Sequence, residues 1–143
     1  MPELAIRPWR LEEAQAVLDF WRLAAPGETP TDDTRGLGAL WRQDEGSLLL
    51  ALDRERIVGT VIAALDGWRG GIYRLAVAPS HRRHGLGRRL VAEAERRLAV
   101  RGAKRLAALA SSHSQQARGF WDSLSDAGWK PTHPGARYAK TLP

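Results

Sequence analysis

The stretch from Leu75 to Leu90 constrains the fold more than any other part of the chain. An apolar strand, Leu75-Ala76-Val77-Ala78, stops at Pro79. The basic run His81-Arg82-Arg83-His84 then leads into Gly85 and Gly87, and an amphipathic helix opens at Leu86. Glycine adopts left-handed backbone angles without steric cost, so successive N–H groups in such a turn can converge on one point. The helix behind adds its unspent first-turn N–H groups and the positive end of its dipole. Arg82, Arg83, His84, Arg88 and Arg89 surround that point with positive charge. A strand, a glycine turn and a helix in this order predict a phosphate cradle, with a polyphosphate as its ligand.

A chain of 143 residues suits a single domain, expected over residues 1–143. With 43 % hydrophobic and 27 % charged residues it has the composition of an ordinary water-soluble domain. No apolar run reaches the roughly 18 residues needed to span a bilayer, so no membrane partner is expected. Met1-Pro2-Glu3-Leu4 lacks a basic region followed by a long apolar stretch, so no secretory signal is expected and the cytoplasm is the expected location. The absence of cysteine excludes disulfides, thiolate metal sites and a cysteine nucleophile.

The net charge of +6 raises nucleic acid as a partner. Arginine far outnumbers lysine, however, which fits a compositional bias, and the densest basic segment, 82–89, is already explained by the cradle. There is no recognition-helix or base-stacking pattern. A basic nucleic-acid-binding domain is therefore kept only as a distant alternative. The P-loop signature G-x-x-x-x-G-K-[S/T] does not occur.

Hydrophobic periodicity predicts the order β-α-α-β-β-β-α-β-α-β-β. Leu4 to Trp9 reads as a strand, and Leu11 to Ala25 as a helix with Ala14, Val17, Leu18 and Trp21 on its buried stripe. Thr31-Asp32-Asp33 supplies cap candidates for a second helix through Leu37, Leu40 and Trp41. Ser47–Leu52 and Ile57–Leu65 form a hairpin about Asp53-Arg54-Glu55-Arg56. Ile72–Ala78 is the next strand, and the helix from Leu86 runs to about Arg101 with Gly102 as its stop. Lys104–Ala110 reads as a strand, Gln116–Leu124 as a short helix, and Trp129–His133 with Ala136–Leu142 as a closing hairpin around Pro134-Gly135. The fold class is α/β in the α+β sense, a central mixed sheet flanked by helices.

Arg82-Arg83-His84-Gly85-Leu86-Gly87 resembles the R/Q-x-x-G-x-G/A signature of the GCN5-related N-acetyltransferases, the GNAT superfamily. It follows a Leu75–Pro79 strand and opens a helix, as in that family, and the resemblance extends over essentially the whole chain. Asp66-Gly67-Trp68-Arg69-Gly70 also looks like the D-G-x-R-G turn that a small bacterial branch carries before its fourth strand.

The resemblance implies transfer of an acetyl group from acetyl-coenzyme A to a primary amine, by direct attack in a ternary complex without a metal. The acceptor is a small molecule or a peptide, and members often form homodimers. Carried over residue by residue, the main chain of Arg82, Arg83, His84, Gly85, Leu86, Gly87 and Arg88 holds the pyrophosphate. Leu75, Ala76 and Val77 line the pantetheine arm, which lies beside them like an added strand where the fourth and fifth strands splay. The Val77 N–H polarises the thioester carbonyl, a role worth about 3 kcal/mol in other acyl-transfer sites.

Aminolysis needs a neutral amine, whose ordinary pKa is near ~10.4, so a proton must be taken up. Many relatives return a proton to the thiolate from a tyrosine after the fifth strand, but Trp121 stands in that place, and an indole N–H has no proton to give. Coenzyme A leaves unaided as a thiolate with a pKa around ~8.5, or Tyr73, Tyr138, Ser112 or His113 substitutes. Where histone-type relatives carry a glutamate base, this chain has Gly71. Asp66 is the first candidate base, on the expectation that the cleft opens at its end of the sheet; its plain alternative is a turn residue. Tyr73 shares a strand face with Leu75 and Val77 by simple alternation and either lines the acceptor pocket or packs on a helix. Trp41 and Trp68 border that pocket by resemblance, or belong to the core. His81, His84, His113 and His133 show no metal-ligand spacing with acidic partners. The competing reading is a coenzyme A-binding module with little or no turnover.

Overall fold

The computed structural model describes residues 4–27, 29–108, 115–132 and 139–143. Two compact units divide them, Met1–Ala108 and Leu109–Pro143. In the first, β1 (Ala5–Pro8) is followed by a 3-10 turn at Leu11–Glu13 and α1 (Ala14–Ala24), then α2 (Thr34–Gln43). The strands β2 (Leu48–Asp53), β3 (Arg56–Leu65) and β4 (Gly70–Val77) come next, then α3 (Leu86–Val100) and β5 (Leu106–Ala108). The sheet order is β1-β2-β3-β4-β5; the first three pairings are antiparallel, and β4 and β5 are parallel with α3 as the crossover. This is the mixed sheet with flanking helices that periodicity predicts.

Side chains satisfy free N–H groups at the 3-10 turn after β1 and at the start of α2. Glu13 accepts the Arg10 N–H at 2.8 Å and is forked by Arg7 at 2.9 Å, closing the first turn after β1. Asp33 caps α2 by accepting the Gly36 N–H at 2.7 Å. One stripe of α1, with Val17, Leu18, Phe20 and Trp21, is buried, and α3 buries Leu86, Leu90, Val91, Ala94 and Leu98. Full burial of a leucine such as Leu90 contributes about 2 kcal/mol. Glycines let α3 approach the sheet closely. A Cβ at Gly59 would lie 2.8 Å from Leu90 Cδ1, and one at Gly70 2.9 Å from Leu98 Cδ1. Those two glycines therefore face α3, whereas Thr60, bonded to Trp21, faces α1.

The second unit contains α4 (Gln115–Asp122) and a 3-10 turn at Ser125–Ala127. Leu124 is buried, and the Trp121 ring meets Phe120 edge-on at 5.3 Å and Trp129 at 4.8 Å. The expected closing hairpin is not found among the described residues. Residues 129–132 and 139–143 carry no strand, and its turn, 133–138, lies outside them. Pro131 withholds one ladder N–H in the first arm. No described helix is long and apolar enough to cross a membrane.

Candidate active site

The site is built on β4. β5 pairs only with its first residues, Gly70↔Leu106, Gly71↔Ala107 and Ile72↔Ala108, and among the described residues no strand lies beside Tyr73–Val77 on that edge. On the other edge the Ala78 N–H donates to Val58 O at 2.8 Å. Antiparallel strands alternate bonded and non-bonded pairs, so Val77, opposite Gly59, directs its own N–H and C=O away from β3 and toward the open edge. Its carbonyl is met there by Arg82 Nε at 3.1 Å.

A bulge interrupts β4. Ile62 faces Tyr73 and Thr60 faces Ala76, so β4 spends one residue more than β3 over this span. The extra residue sits at Arg74, which has φ 48°, left-handed for a non-glycine and worth on the order of 1–3 kcal/mol of strain. The surroundings hold it there. The buried Thr60 hydroxyl donates to the Arg74 carbonyl at 2.9 Å and accepts from Trp21 Nε1 at 2.9 Å. The Arg74 guanidinium lies over the Trp21 ring, 4.8 Å from its centre, pairs with Asp32 through Nε and Nη2, and donates from Nη1 to the Ala25 carbonyl. Burial pushes the Asp32 carboxyl up, but the Thr29 N–H and Arg74 outweigh it and leave it below the usual carboxylate range. Trp21, Ala25, Asp32 and Arg74 line a pocket of about 180 Å³.

The bulge corrects the alternation expected from sequence. Tyr73 shares a face with Ala76, because their partners Ile62 and Thr60 share one; Val77, opposite Gly59, is on the α3 side. The Tyr73 ring folds over Gly71, where a Cβ would meet its Cε2 at 2.8 Å. The place at which histone-type relatives carry a glutamate is thus covered by a tyrosine.

Beyond β4 the chain makes a 3-10 turn at Pro79–His81 and passes Arg83 (φ 65°) and Gly85 (φ 79°) before α3 begins. Nothing lies within 4 Å of where a Gly85 Cβ would be, so its left-handed angle, and not crowding, calls for glycine. The helical ladder opens with the Arg89 N–H bonded to Gly85 O, so the N–H groups of the first turn have no partner within the helix. Arg83, His84, Gly85 and Arg88 are exposed, while Ala76 and Leu86 are buried and offer only main chain. Two basic side chains expected at the ligand are used otherwise. Arg82 bonds Val77 O and, through Nη2, Ala24 O at 3.0 Å; Arg89 bonds Leu4 O at 3.2 Å. His81 is buried between Ser80 Oγ at 2.7 Å and Asp53 Oδ2 at 3.0 Å.

Asp66 lies at the end of the sheet where β4 and β5 are paired, away from the part of β4 that has no described partner strand. Its turn precedes Gly70, where β5 is still paired, and Val77 is seven residues farther, on the order of 20 Å along the strand. The fully exposed Asp66 carboxylate accepts the Arg69 and Trp68 N–H groups at 2.8 and 2.7 Å, which hold it below the usual range. These are the contacts of a turn residue. Trp41 packs edge-on against Trp9 at 5.5 Å, and the largely exposed Trp68 carries Arg69 over its ring at 4.2 Å. Ser112, His113, His133 and Tyr138 lie outside the described residues. No group of three or more potential metal ligands occurs among the described ones.

The sequence pattern placed Trp21 only on the buried stripe of the first helix and did not single out Arg74 or Thr60. The available signal was an arginine in the middle of the apolar run Ile72–Val77.

The family model for the acetyltransferase (GNAT) family matches residues 10–125. An acetyltransferase of Pectobacterium atrosepticum is 27 % identical over 124 residues, covering 85 % of this chain and 86 % of its own. One from Photorhabdus laumondii is 30 % identical over 106 residues, 72 % of each chain. Among solved structures, the aminoglycoside N-acetyltransferase AAC(6')-Iy in complex with a bisubstrate analogue superimposes with a TM-score of 0.73 at 18 % identity, covering 98 % of this chain and 99 % of its own. The open-edged mixed sheet and the strand–glycine–helix turn are those of an acyltransferase fold. The chain belongs to the GNAT family of acetyltransferases.

Proposed function

We propose that this acetyltransferase uses acetyl-coenzyme A as donor and transfers the acetyl group directly to a primary amine of a second bound molecule. The observation that carries the reading is that β4, whose edge at Tyr73–Val77 has no described partner strand, runs on into the left-handed glycine turn at the start of α3. An edge without a partner strand suits an extended amide-bearing arm, and the turn at Arg83–Gly85 suits a pyrophosphate. Bound there, acetyl-coenzyme A supplies the acetyl group as an activated thioester. The main chain from Arg82 to Arg88 holds its phosphates, and Leu75, Ala76 and Val77 orient its arm. The Val77 N–H donates to the thioester oxygen as charge gathers on it, a contribution of about 3 kcal/mol where measured elsewhere. The amine nitrogen gains the acetyl carbon and loses a proton; the carbon–sulfur bond breaks and the sulfur leaves with the electron pair.

Tyr73, expected as a substitute proton donor, begins the edge of β4 that has no described partner, whereas Asp66, the expected base, is remote from it and its carboxyl lies below the usual range. We assign to Tyr73 the return of a proton to the leaving sulfur, and the proton lost by the amine passes to solvent. The family match runs from the first unit into the second, which supports one transferase domain over 1–143. An amine acceptor is supported by structural neighbours described as aminoglycoside acetyltransferases. Trp121 and Gly71, in place of the proton-transfer residues of relatives, favour the second reading, a coenzyme A-binding module with little turnover. Release of free thiol from acetyl-coenzyme A across a panel of amines separates the two. Product above the uncatalysed rate is expected, and its absence with every amine, while acetyl-coenzyme A still raises the melting temperature, overturns the transferase reading.

A further inference from the structure

A pocket of about 180 Å³ lies between the end of α1, the loop leading to α2 and the β4 bulge, and none of its lining residues is among those assigned above to coenzyme A. Leu18 and Pro26 form its apolar wall; Trp21, Arg22, Asp32 and Arg74 supply its polar and aromatic groups. Its one lining carboxylate among the described residues is spent. Asp32 Oδ2 accepts the Thr29 N–H, the Thr29 hydroxyl and Arg74 Nη2, and Oδ1 accepts Arg74 Nε. Four bonds use the acceptor capacity of a carboxylate, and only 8 % of the side chain is exposed, so Asp32 fixes Arg74 and has nothing left for an incoming ammonium.

Arg74 is in the opposite state. A guanidinium has five N–H groups; Asp32 takes two and the Ala25 carbonyl one. One N–H on each of Nη1 and Nη2 meets no acceptor among the described residues. The planar group is held by Trp21 beneath it and Asp32 beside it, and is thereby preorganised for an anion. Arg22, paired with Asp19 at 3.3 Å, adds a second guanidinium at the rim.

We infer that this pocket is the acceptor subsite and that it takes a small amine bearing a carboxylate, an amino acid or a short peptide, with Arg74 binding the carboxylate. The inference rests on the amine-acetylating reading above. Arg74 precedes Val77 by three residues, on the order of 10 Å along the strand, a span that an amino acid or dipeptide bridges. A volume of about 180 Å³ is room for such a carboxylate-bearing group. Among the described lining residues a polycation would meet the Arg74 guanidinium and no carboxylate with acceptor capacity left.

The test uses the full chain in two arms. In turnover, β-alanine and a short dipeptide are compared with their carboxamides, with spermidine and with kanamycin. A charge-assisted fork should favour the carboxylate member at least about tenfold in kcat/KM, and Arg74→Met should bring the ratio near one. Amides or polycations used equally well or better overturn the inference, and the wild-type comparison does not depend on the variant folding. In binding, the same ligands are titrated into the protein with coenzyme A while the assigned Trp21 indole N–H resonance is followed. Carboxylates should shift it at millimolar concentration and carboxamides should not. A shift without turnover overturns the transferase reading and leaves the pocket standing; turnover of other amines without a shift overturns the pocket.

Discussion

The Arg82 guanidinium holds the Val77 carbonyl at 3.1 Å and, through its other arm, the last turn of α1 at the Ala24 carbonyl. A signature arginine that composition assigns to a phosphate is thus spent on the main chain. By fixing the Val77 C=O, it fixes the peptide plane next to the N–H assigned to the thioester oxygen.

Replacing Arg82 by Met should therefore act on kcat as well as on cofactor affinity. The loss of two bonds to carbonyls costs about 1–3 kcal/mol of stability. A donor displaced by a fraction of an ångström lowers kcat about tenfold, the equivalent of ~1.4 kcal/mol. Arg82→Lys, which can still reach one carbonyl, should recover part of the loss. Steady-state kinetics with varied acetyl-coenzyme A checks this; a rise in KM with kcat unchanged would mean that Arg82 acts only on the phosphates.

Gly85→Glu should abolish cofactor binding without unfolding the protein. The site for the new side chain is open, but φ 79° disfavours any L side chain and the carboxylate enters the cradle. Saturating the wild type to ~100 times Kd adds about 2.7 kcal/mol. At about 2–4 °C per kcal/mol for a domain of this size, the melting temperature rises on the order of 5–10 °C. The variant should melt cooperatively within a few degrees of the unliganded wild type and show no rise, and thermal unfolding with and without acetyl-coenzyme A measures both.

The glycine turn before α3 and the helices were legible in the sequence because their causes are local. The left-handed glycine, the Asp33 cap and the leucine stripe of α3 act within a few residues of themselves. The Asp66-Gly67 pair likewise announced its turn, and the turn is where Asp66 stayed. The bulge was not legible. Its register depends on Trp21, Asp32 and Thr60, which are distant in sequence from Arg74, and one inserted residue transfers Tyr73 from the face of Val77 to that of Ala76. The role of Arg82 was hidden for the same reason, since its acceptor Ala24 is 58 residues away.

Thr60→Val tests the support under the bulge. The exchange keeps the shape and removes the hydroxyl that joins Trp21 Nε1 to the Arg74 carbonyl, leaving a buried donor and acceptor unpaired. Each orphaned group costs about 1–3 kcal/mol, so a loss on the order of 2–4 kcal/mol is expected from denaturant unfolding. Thr60→Ser keeps the bridge and should cost about 1 kcal/mol for the missing methyl. A Thr60→Val variant as stable as the wild type would show that the hydroxyl carries nothing.

Acid should destabilise the fold through three arginine-paired carboxylates. The Arg7 hydrogen bonds hold Glu13 below its ordinary 4.5. Burial raises Asp32 and Asp44, but the hydrogen bonds to each, Arg74's and Arg97's among them, outweigh it and leave both below 3.8. A carboxylate with a depressed folded pKa contributes stability that is fully present above its unfolded value and is lost as pH falls through the folded one. From these groups the melting temperature should be flat above about pH 5 and fall below about pH 4. Asp44→Asn, which ends the 2.6 Å contact with Arg97, should lower the plateau and flatten the acid limb, because one fewer proton is taken up on unfolding. Melting curves of the wild type and the variant between those limits measure the change, and parallel acid limbs would exclude Asp44 as a source of the pH dependence.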